Sequence, residues 1–199
     1  MTNPENVYRF LTWNILKGGG TRLPDIVREI GRLSPTVVAL TEVTGNHVGR
    51  LRSGLKSIGF DHIASPCPTG GTNSVLIASK IPFEMVDAAI AEDHERWIAV
   101  RIPRLDVEVL CVHVPGSDDD KVRPGKHSLL GVERKELFWQ DLTRYANTRK
   151  DTRTILLGDF NTGLNHIDKS PDGCRPRRTP RQDPSRSSGC RRARLPQRR

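Results

Sequence analysis

The chain has 199 residues and a formal net charge of +9, with 32 Lys and Arg residues against 23 Asp and Glu. This length allows one sizeable hydrophobic core but not two independent ones. No apolar run reaches transmembrane length, and the first six residues are too polar for a signal peptide. We therefore expect a cytoplasmic protein without a membrane partner, and the sequence indicates no obligate protein partner.

Hydrophobic patterning predicts an alternation of strands and helices, which is typical of the α/β class. In chain order the predicted elements are a strand over 10–15, a helix over 22–33, a strand over 37–43, a helix over 47–58 with Asn46 as its N-cap, strands over 60–65, 73–79, 96–102 and 107–114, a helix over 130–148, and a strand entering residues 154–163. The helix over 130–148 is predicted to bury Phe138, Leu142 and Tyr145 and to expose Glu133, Lys135 and Arg149. A polar loop with Asp118, Asp119 and Asp120 lies between the predicted strand over 107–114 and the helix over 130–148. Consecutive carboxylates rarely converge on one ion, so we interpret the loop as solvated and not as a metal site. Because it directly follows His113, it can still line a substrate cleft.

The four cysteines, at positions 67, 111, 174 and 190, lack the spacing of a metal site. Cys111 falls in a predicted core strand. We therefore expect buried free thiols.

The final predicted strand ends in Gly158-Asp159-Phe160-Asn161. Strand alternation would direct Asp159 and Asn161 to one face and Phe160 to the other. A carboxylate beside an amide at the carboxyl end of a strand can bind a hard cation or accept a proton from water. The alternative is a strand end followed by an Asx-type turn.

Three upstream strands also deliver one polar group each at or near their ends: Asn14, Glu42 and His113. Each also has a purely structural interpretation. Asn14 can be a satisfied core amide, Glu42 a capping or rim carboxylate, and His113 a hydrogen-bonded core imidazole. Taken one at a time, the three residues leave both interpretations open.

Taken together and in this order, the four motifs resemble the endonuclease/exonuclease/phosphatase superfamily of deoxyribonuclease-like phosphoesterases. The resemblance runs from about Tyr8 to about Asp168 and includes the framework segment 71–80. It implies a four-layer α/β sandwich of two facing mixed sheets. It also implies hydrolysis of phosphodiester or phosphomonoester bonds, with nucleic acid among the candidate substrates, and a Mg²⁺ or Mn²⁺ cofactor.

The same resemblance implies roles for particular residues. Glu42 would hold the metal with help from Asn14, which can also contact the phosphate. Asp159 and Asn161 would position and deprotonate water, and His113 would hydrogen-bond a phosphoryl oxygen or assist the leaving group. Arg96 and, more weakly, Asn73 would bind substrate, although Arg96 can equally be an exposed residue at a strand start.

The superfamily's final Ser-Asp-His motif is absent from this sequence, since no His follows His166. Residues 171–199 instead hold ten Arg, no Lys, no aromatic residue and a single large aliphatic one, Leu195. Such a segment cannot bury enough apolar surface to offset its ordering entropy. We therefore predict a partial catalytic domain over 7–169, incomplete at its C-terminus and with impaired activity, and a disordered Arg-rich tail over 170–199.

The tail also accounts for the charge, because residues 1–170 carry a net charge of only +1. We interpret the tail as an out-of-frame translation; the competing interpretations are a genuine polybasic arm and a naturally short family member. A basic arm can bind polyanions without specificity. The alternative function is therefore non-catalytic polyanion binding through the tail.

Overall fold

Two four-stranded mixed sheets and three helices form the part of the chain that the computed structural model describes, residues 7–162 with gaps at 67, 88–91, 118, 120 and 123–127. The strands and helices are β1 (Phe10–Asn14), α1 (Leu23–Leu33), β2 (Val37–Val43), α2 (Gly45–Ser57), β3 (His62–Ala64), β4 (Ser74–Ser79), β5 (Glu84–Val86), β6 (Trp97–Ile102), β7 (Val107–His113), β8 (Lys121–Val122), β9 (Ser128–Leu129), α3 (Gly131–Thr148) and β10 (Thr154–Asp159). Short 3-10 turns cover Gly20–Arg22, His94–Arg96 and Pro103–Leu105.

Each sheet joins strands that are distant in the sequence. The first has the order β1-β2-β4-β3, and the second has the order β10-β7-β6-β5. The pairs β1 with β2 and β10 with β7 are parallel, and the other neighbours in both sheets are antiparallel. Parallel pairing brings the carboxyl ends of two strands to the same sheet edge. This edge holds the polar groups predicted from the sequence.

The alternation of side chains along β2 explains how the layers stack. Val37 and Ala39 belong to a cluster that also contains residues of β4, β6 and β7, so this cluster lies between the two sheets. Val38 and Leu40 pack with residues of α1 and α2 on the opposite face. All four are fully buried, and burial of such a Val or Leu side chain contributes about 1.5–3 kcal/mol.

The long helix α3 covers the outer face of the second sheet. Its Phe138 and Tyr145 lie 5.7 and 5.3 Å from the ring centroid of Trp97 on β6. On the same face, buried Glu108 of β7 accepts hydrogen bonds from the hydroxyl of Tyr145 and from Nε of Arg149. The order of layers is therefore helices, sheet, sheet, helix, and the predicted four-layer α/β sandwich is confirmed.

Three local predictions need correction. Helix α2 begins at Gly45 with the extended residue Thr44 as its N-cap, two residues before the predicted Asn46. The amide of Asn46 instead donates to the carbonyl of Gly70. The strand β5 was not predicted, because its three residues at a sheet edge, two of them exposed, carry no hydrophobic alternation. Arg149, expected on the exposed face of α3, is partly buried by its contacts with Glu108 and Tyr145.

Several sequence predictions fall outside the described residues, namely the tail over 170–199, three of the four cysteines, Asp118 and Asp120. Cys111 is described; it is buried and has a free thiol, as predicted. None of the described helices has both the length and the apolar character that crossing a lipid bilayer requires.

Candidate active site

The predicted site residues converge where the carboxyl ends of β1, β2, β7 and β10 meet. Asn14 pairs in register with Thr41 in the first sheet, and Asp159 pairs with His113 in the second. Strand pairing thus sets the positions of all these side chains along the sandwich. Hydrogen bonds between the side chains then join the two sheets across this end.

Asn14 is the centre of these contacts. Its Nδ2 donates to Oε1 of Glu42 at 2.9 Å and to Oδ2 of Asp159 at 2.9 Å. Its Oδ1 accepts the backbone N–H of Leu16 at 2.9 Å. Both protons of the amide and its oxygen are therefore engaged, which fixes the orientation of the amide and holds two carboxylates beside one nitrogen.

Glu42 occupies a β-bulge. The register between β2 and β4 shifts between Thr41 and Val43, and Glu42 adopts a left-handed backbone with φ of +56°. Its Oε2 accepts the N–H of Lys17 at 2.8 Å, and its carbonyl accepts the N–H of Gly18 at 2.7 Å. A left-handed non-glycine residue costs of order 1–3 kcal/mol and persists only where its surroundings enforce it.

Glycine is required at two positions beside the carboxylates. A Cβ at Gly18 would lie 2.3 Å from Oγ1 of Thr44, and one at Gly158 would lie 1.9 Å from the carbonyl oxygen of Val112. Both residues also have positive φ, +72° and +131°. The close approach of β10 to β7 at Gly158 places the next residue, Asp159, against the end of the first sheet.

The strand ends at Asp159, so alternation does not extend to Asn161. The N–H of Asn161 donates to Oδ1 of Asp159 at 2.9 Å, which is the contact of an Asx-type turn, and Asn161 has φ of +45°. Its Nδ2 donates to the carbonyl of Val114 at 2.7 Å. The turn, which the sequence left open as an alternative, thus accounts for the position of Asn161, and the prediction that strand alternation aligns it with Asp159 was wrong.

His113 and Arg96 form the second half of the site, and both are buried. Arg96 is therefore not the exposed strand-start residue that the sequence also allowed. Its Nη1 lies 3.4 Å from Nδ1 of His113, and its Nη2 donates to Oδ2 of Asp119 at 2.9 Å. A guanidinium has only donors, so Nδ1 of a neutral His113 accepts and its proton lies on Nε2.

Burial is the main cause that lowers the pKa of His113, and the positive charge of Arg96 lowers it further. The negative charges of Asp159, Glu42 and Asp119 act in the opposite direction. The imidazole therefore stays neutral at neutral pH. Its Nε2–H can then donate a hydrogen bond to an anionic group.

The described structure does not join every predicted residue to the cluster. Asn73 immediately precedes β4, whose Ser74 pairs with Val43, so it lies near Glu42 along the sheet edge. No hydrogen bond links its side chain to the other site residues within the part of the chain described. Its predicted role in substrate binding stays a prediction.

Sequence reasoning did not assign site roles to four residues in and around the site. Asp119, interpreted as part of a solvated loop, is half-buried and binds Arg96. Lys135 donates to the carbonyl of Asn161 at 2.6 Å. Arg134 and Asp93 form an ion pair in which both side chains are more than nine-tenths buried. The only available signal was the isolated placement of Arg134 on the predicted buried face of α3.

The carboxylates fit a hard divalent cation. Oε2 of Glu42 and Oδ1 of Asp159 each accept one backbone N–H and retain a further lone pair. Mg²⁺ typically binds one or two carboxylates and completes its shell with water and substrate phosphate. The described residues contain no group of three or more His, Cys, Asp or Glu arranged to hold a metal ion.

Residues 11–197 match the model of the Endonuclease/Exonuclease/phosphatase family, and the chain belongs to this family. The sequence-based recognition of the superfamily is thereby confirmed. Enzymes of the family are generally dependent on a divalent metal. No match was found among curated protein sequences.

Solved structures share the fold. An AP endonuclease from Archaeoglobus fulgidus aligns with a TM-score of 0.63 and 19% identity, over 84% of this chain and 63% of that one. The 3′ phosphatase NExo from Neisseria, bound to product DNA hairpin, aligns with a TM-score of 0.63 and 20% identity over the same shares. Truncated TDP2 from Caenorhabditis elegans aligns with a TM-score of 0.54 and 18% identity, over 82% of this chain and 66% of that one. The chain thus spans less than two thirds of the length of these three proteins.

Proposed function

We propose that this protein hydrolyses phosphoester bonds with a divalent cation, Mg²⁺ or Mn²⁺, at the site around Asn14. The observation that carries the proposal is the pair of hydrogen bonds from one amide nitrogen to Glu42 and Asp159. It holds two acidic side chains from different sheets beside each other. The bound cation would polarise the phosphoryl group and neutralise charge that develops on it.

The two carboxylates take different roles in this proposal. Glu42, held at a bulge by Lys17 and Gly18, is the metal ligand. Asp159 accepts a proton from the attacking water, and its orientation is fixed by donors on both oxygens, Asn14 and the N–H of Asn161. Asn161 supports this geometry, and its side chain anchors the turn to Val114.

His113, the register partner of Asp159, and Arg96 bind the phosphoryl group in this proposal. The neutral Nε2–H of His113 donates to a phosphoryl oxygen or to the leaving oxygen. Arg96 supplies a permanent positive charge, and its guanidinium can exchange Asp119 for a phosphate with the same planar geometry. Removal of one such positioned group typically costs about 10²–10⁴ in rate.

The substrate class proposed is a phosphodiester or phosphomonoester, with nucleic acid among the candidates. Proteins of similar fold include a 3′ phosphatase bound to a DNA hairpin and a 2′,3′-cyclic phosphatase. Of the two, the 3′ phosphatase is described with a product DNA. An oligonucleotide with a 3′-phosphate is therefore the natural first substrate, beside bis(p-nitrophenyl) phosphate.

The test measures hydrolysis of both substrates by the purified chain with Mg²⁺, with Mn²⁺ and with EDTA. We expect activity that requires the cation and disappears in the double variant Glu42→Gln with Asp159→Asn. The variant Asp106→Asn, which changes an exposed carboxylate in a turn far from the site, is the control. Hydrolysis that survives EDTA or the double variant would contradict the proposal.

A second candidate function, polyanion binding, is favoured by the ten Arg residues of segment 171–199. Deletion of this segment would abolish such binding and leave Mg²⁺-dependent hydrolysis intact.

We also propose that the boundary between the catalytic domain and the tail lies near residue 170 and that the tail is an out-of-frame translation. Reading the coding DNA beyond Lys169 in all frames tests the out-of-frame origin of the tail. This origin requires that another frame encodes a Ser-Asp-His motif.

A further inference from the structure

A buried ion pair between Arg134 and Asp93 lies next to the turn that carries Arg96. Nε of Arg134 on α3 donates to both carboxylate oxygens of Asp93, at 3.2 and 3.1 Å, and Nη2 donates to Oδ1 as well. The two side chains are 8% and 3% exposed. An ion pair removed from water to this degree adds little net stability compared with apolar residues of similar size. Its placement therefore calls for a role other than stability.

Asp93 is connected directly to Arg96 through the backbone. It precedes the 3-10 turn His94–Arg96, and its carbonyl accepts the N–H of Arg96 at 2.8 Å. Asp93 itself has a left-handed backbone with φ of +59°. A non-glycine residue keeps this conformation only where its contacts enforce it, and the bidentate grip of Arg134 on its side chain supplies such contacts.

The first turns of α3 also hold other parts of the site. Gly131 packs so closely on Ser117 that a Cβ there would lie 2.0 Å from the Ser117 carbonyl oxygen, and Ser117 is two residues before Asp119. Lys135 donates to the carbonyl of Asn161. One helical segment, residues 131–135, therefore contacts the segments that carry Arg96, Asp119 and Asn161.

From this arrangement we infer that Arg134 is a positioning residue for substrate binding: through Asp93 it fixes the turn that presents the guanidinium of Arg96 beside His113. Arg134 touches neither His113 nor the carboxylates. In this inference its effect on substrate binding is exerted through the orientation of Arg96. A misplacement of about 1 Å in a positioned group can lower the rate of a reaction roughly 10²-fold. We therefore expect a measurable effect when the planar guanidinium of Arg134, which holds both oxygens of Asp93, is lost.

The inference rests on the proposed phosphoester hydrolysis, with Arg96 as the phosphate-binding group. The experiment is a double-mutant cycle with Arg134→Lys and Arg96→Gln in the full chain. Lysine keeps the charge that compensates Asp93 but lacks the planar fork. Arg144→Lys is the matched control, because Arg144 also lies on α3 and pairs with an aspartate, Asp141, at 2.5 Å, but its own side chain is 67% exposed.

Two quantities are measured for each variant: kcat and KM for bis(p-nitrophenyl) phosphate, and the Kd of inorganic phosphate by calorimetry in the presence of Mg²⁺. We expect Arg134→Lys to raise KM and Kd about tenfold with little change in kcat. In the Arg96→Gln background, the same substitution should change neither quantity. Arg144→Lys should behave as the unmodified protein does in both backgrounds.

Additive effects of the two substitutions on Kd, or an unchanged Kd in Arg134→Lys, would overturn the inference. If Arg134→Lys does not fold, the neutral pair Asp93→Asn with Arg134→Gln takes its place, since it leaves no uncompensated buried charge. The proposed function fails separately, through absence of Mg²⁺-dependent hydrolysis in the unmodified chain. In that case the coupling between Arg134→Lys and Arg96→Gln can still be measured from the Kd of inorganic phosphate.

Discussion

Asn14 and Asp159, separated by 145 positions in the sequence, are joined by a 2.9 Å hydrogen bond from Nδ2 to Oδ2. The bond connects the first sheet to the second, because Asn14 ends β1 and Asp159 ends β10. The second proton of the same amide binds Glu42. An amide at this position therefore reduces the repulsion between two carboxylates and sets their separation. Both effects lead to testable expectations.

Removal of either carboxylate charge should abolish most of the proposed activity. Asp159→Asn and Glu42→Gln should each lower Mg²⁺-dependent hydrolysis by roughly 10²-fold or more, because the first loses the proton acceptor and the second a metal ligand. Circular dichroism should show an unchanged fold. Near-full activity in either variant would mean that the reaction takes place elsewhere.

Replacement of Asn14 by Asp should destabilise the metal-free protein at neutral pH. It removes the donor shared by two carboxylates and places a third negative charge beside them, at a cost of about 1–3 kcal/mol. Thermal unfolding with EDTA measures the loss, which should diminish at acidic pH or on addition of Mg²⁺. Gln140→Glu, an exposed change on α3, should have little effect. Equal stability of Asn14→Asp and the unmodified protein would contradict the central place given to this amide.

The pKa of His113 should rise when Arg96 is replaced by Gln, since the positive charge of Arg96 disfavours the imidazolium. The titration is followed by NMR in metal-free protein. Arg101→Gln is the control, because Arg101 lies on β6, which follows the turn of Arg96, and pairs with Asp106. An unchanged pKa of His113 in Arg96→Gln would argue against the close contact between the two side chains.

The depressed pKa of His113 also predicts how stability depends on pH. Below the ordinary histidine pKa of about 6.5 the unfolded chain takes up a proton that the folded protein resists. The stability contributed by the neutral imidazole is therefore fully present above that value and is lost as pH falls through the lower, folded pKa. His113→Gln should weaken this part of the acid dependence, measured as the free energy of unfolding between pH 7 and 5.

Trp97 should matter for stability and not directly for chemistry. It is 5% exposed and contacts the rings of Phe138 and Tyr145, so Trp97→Ala should cost about 3–5 kcal/mol in denaturant unfolding. Its indole N–H has no hydrogen-bond partner in the described part of the chain. Trp97→Phe should therefore cost clearly less than Trp97→Ala. Met85→Ala, 60% exposed on the edge strand, should be close to neutral.

The sequence by itself determined the class of fold and four of the strand-end groups. β2 matches its predicted bounds, Val37–Val43, and α1, β7 and α3 match theirs to within a residue, because uninterrupted apolar runs and a 3.6-residue period survive in any tertiary context. Asn14, Glu42, His113 and Asp159 were identifiable because each follows or ends such a run. The facing of two sheets came from the family resemblance and not from periodicity.

Only the tertiary structure decided how these groups meet. The bulge at Glu42 and the left-handed Asp93 are departures from regular backbone structure that no local pattern predicts. At Asn161 the sequence allowed both continued strand alternation and an Asx-type turn, and the structure selected the turn. Arg96 is buried and contacts Asp119, which lies 23 positions away in the sequence. Side-chain periodicity reports which face of an element is apolar. Distances between polar groups on different elements depend instead on strand register and helix packing, which the assembled core fixes.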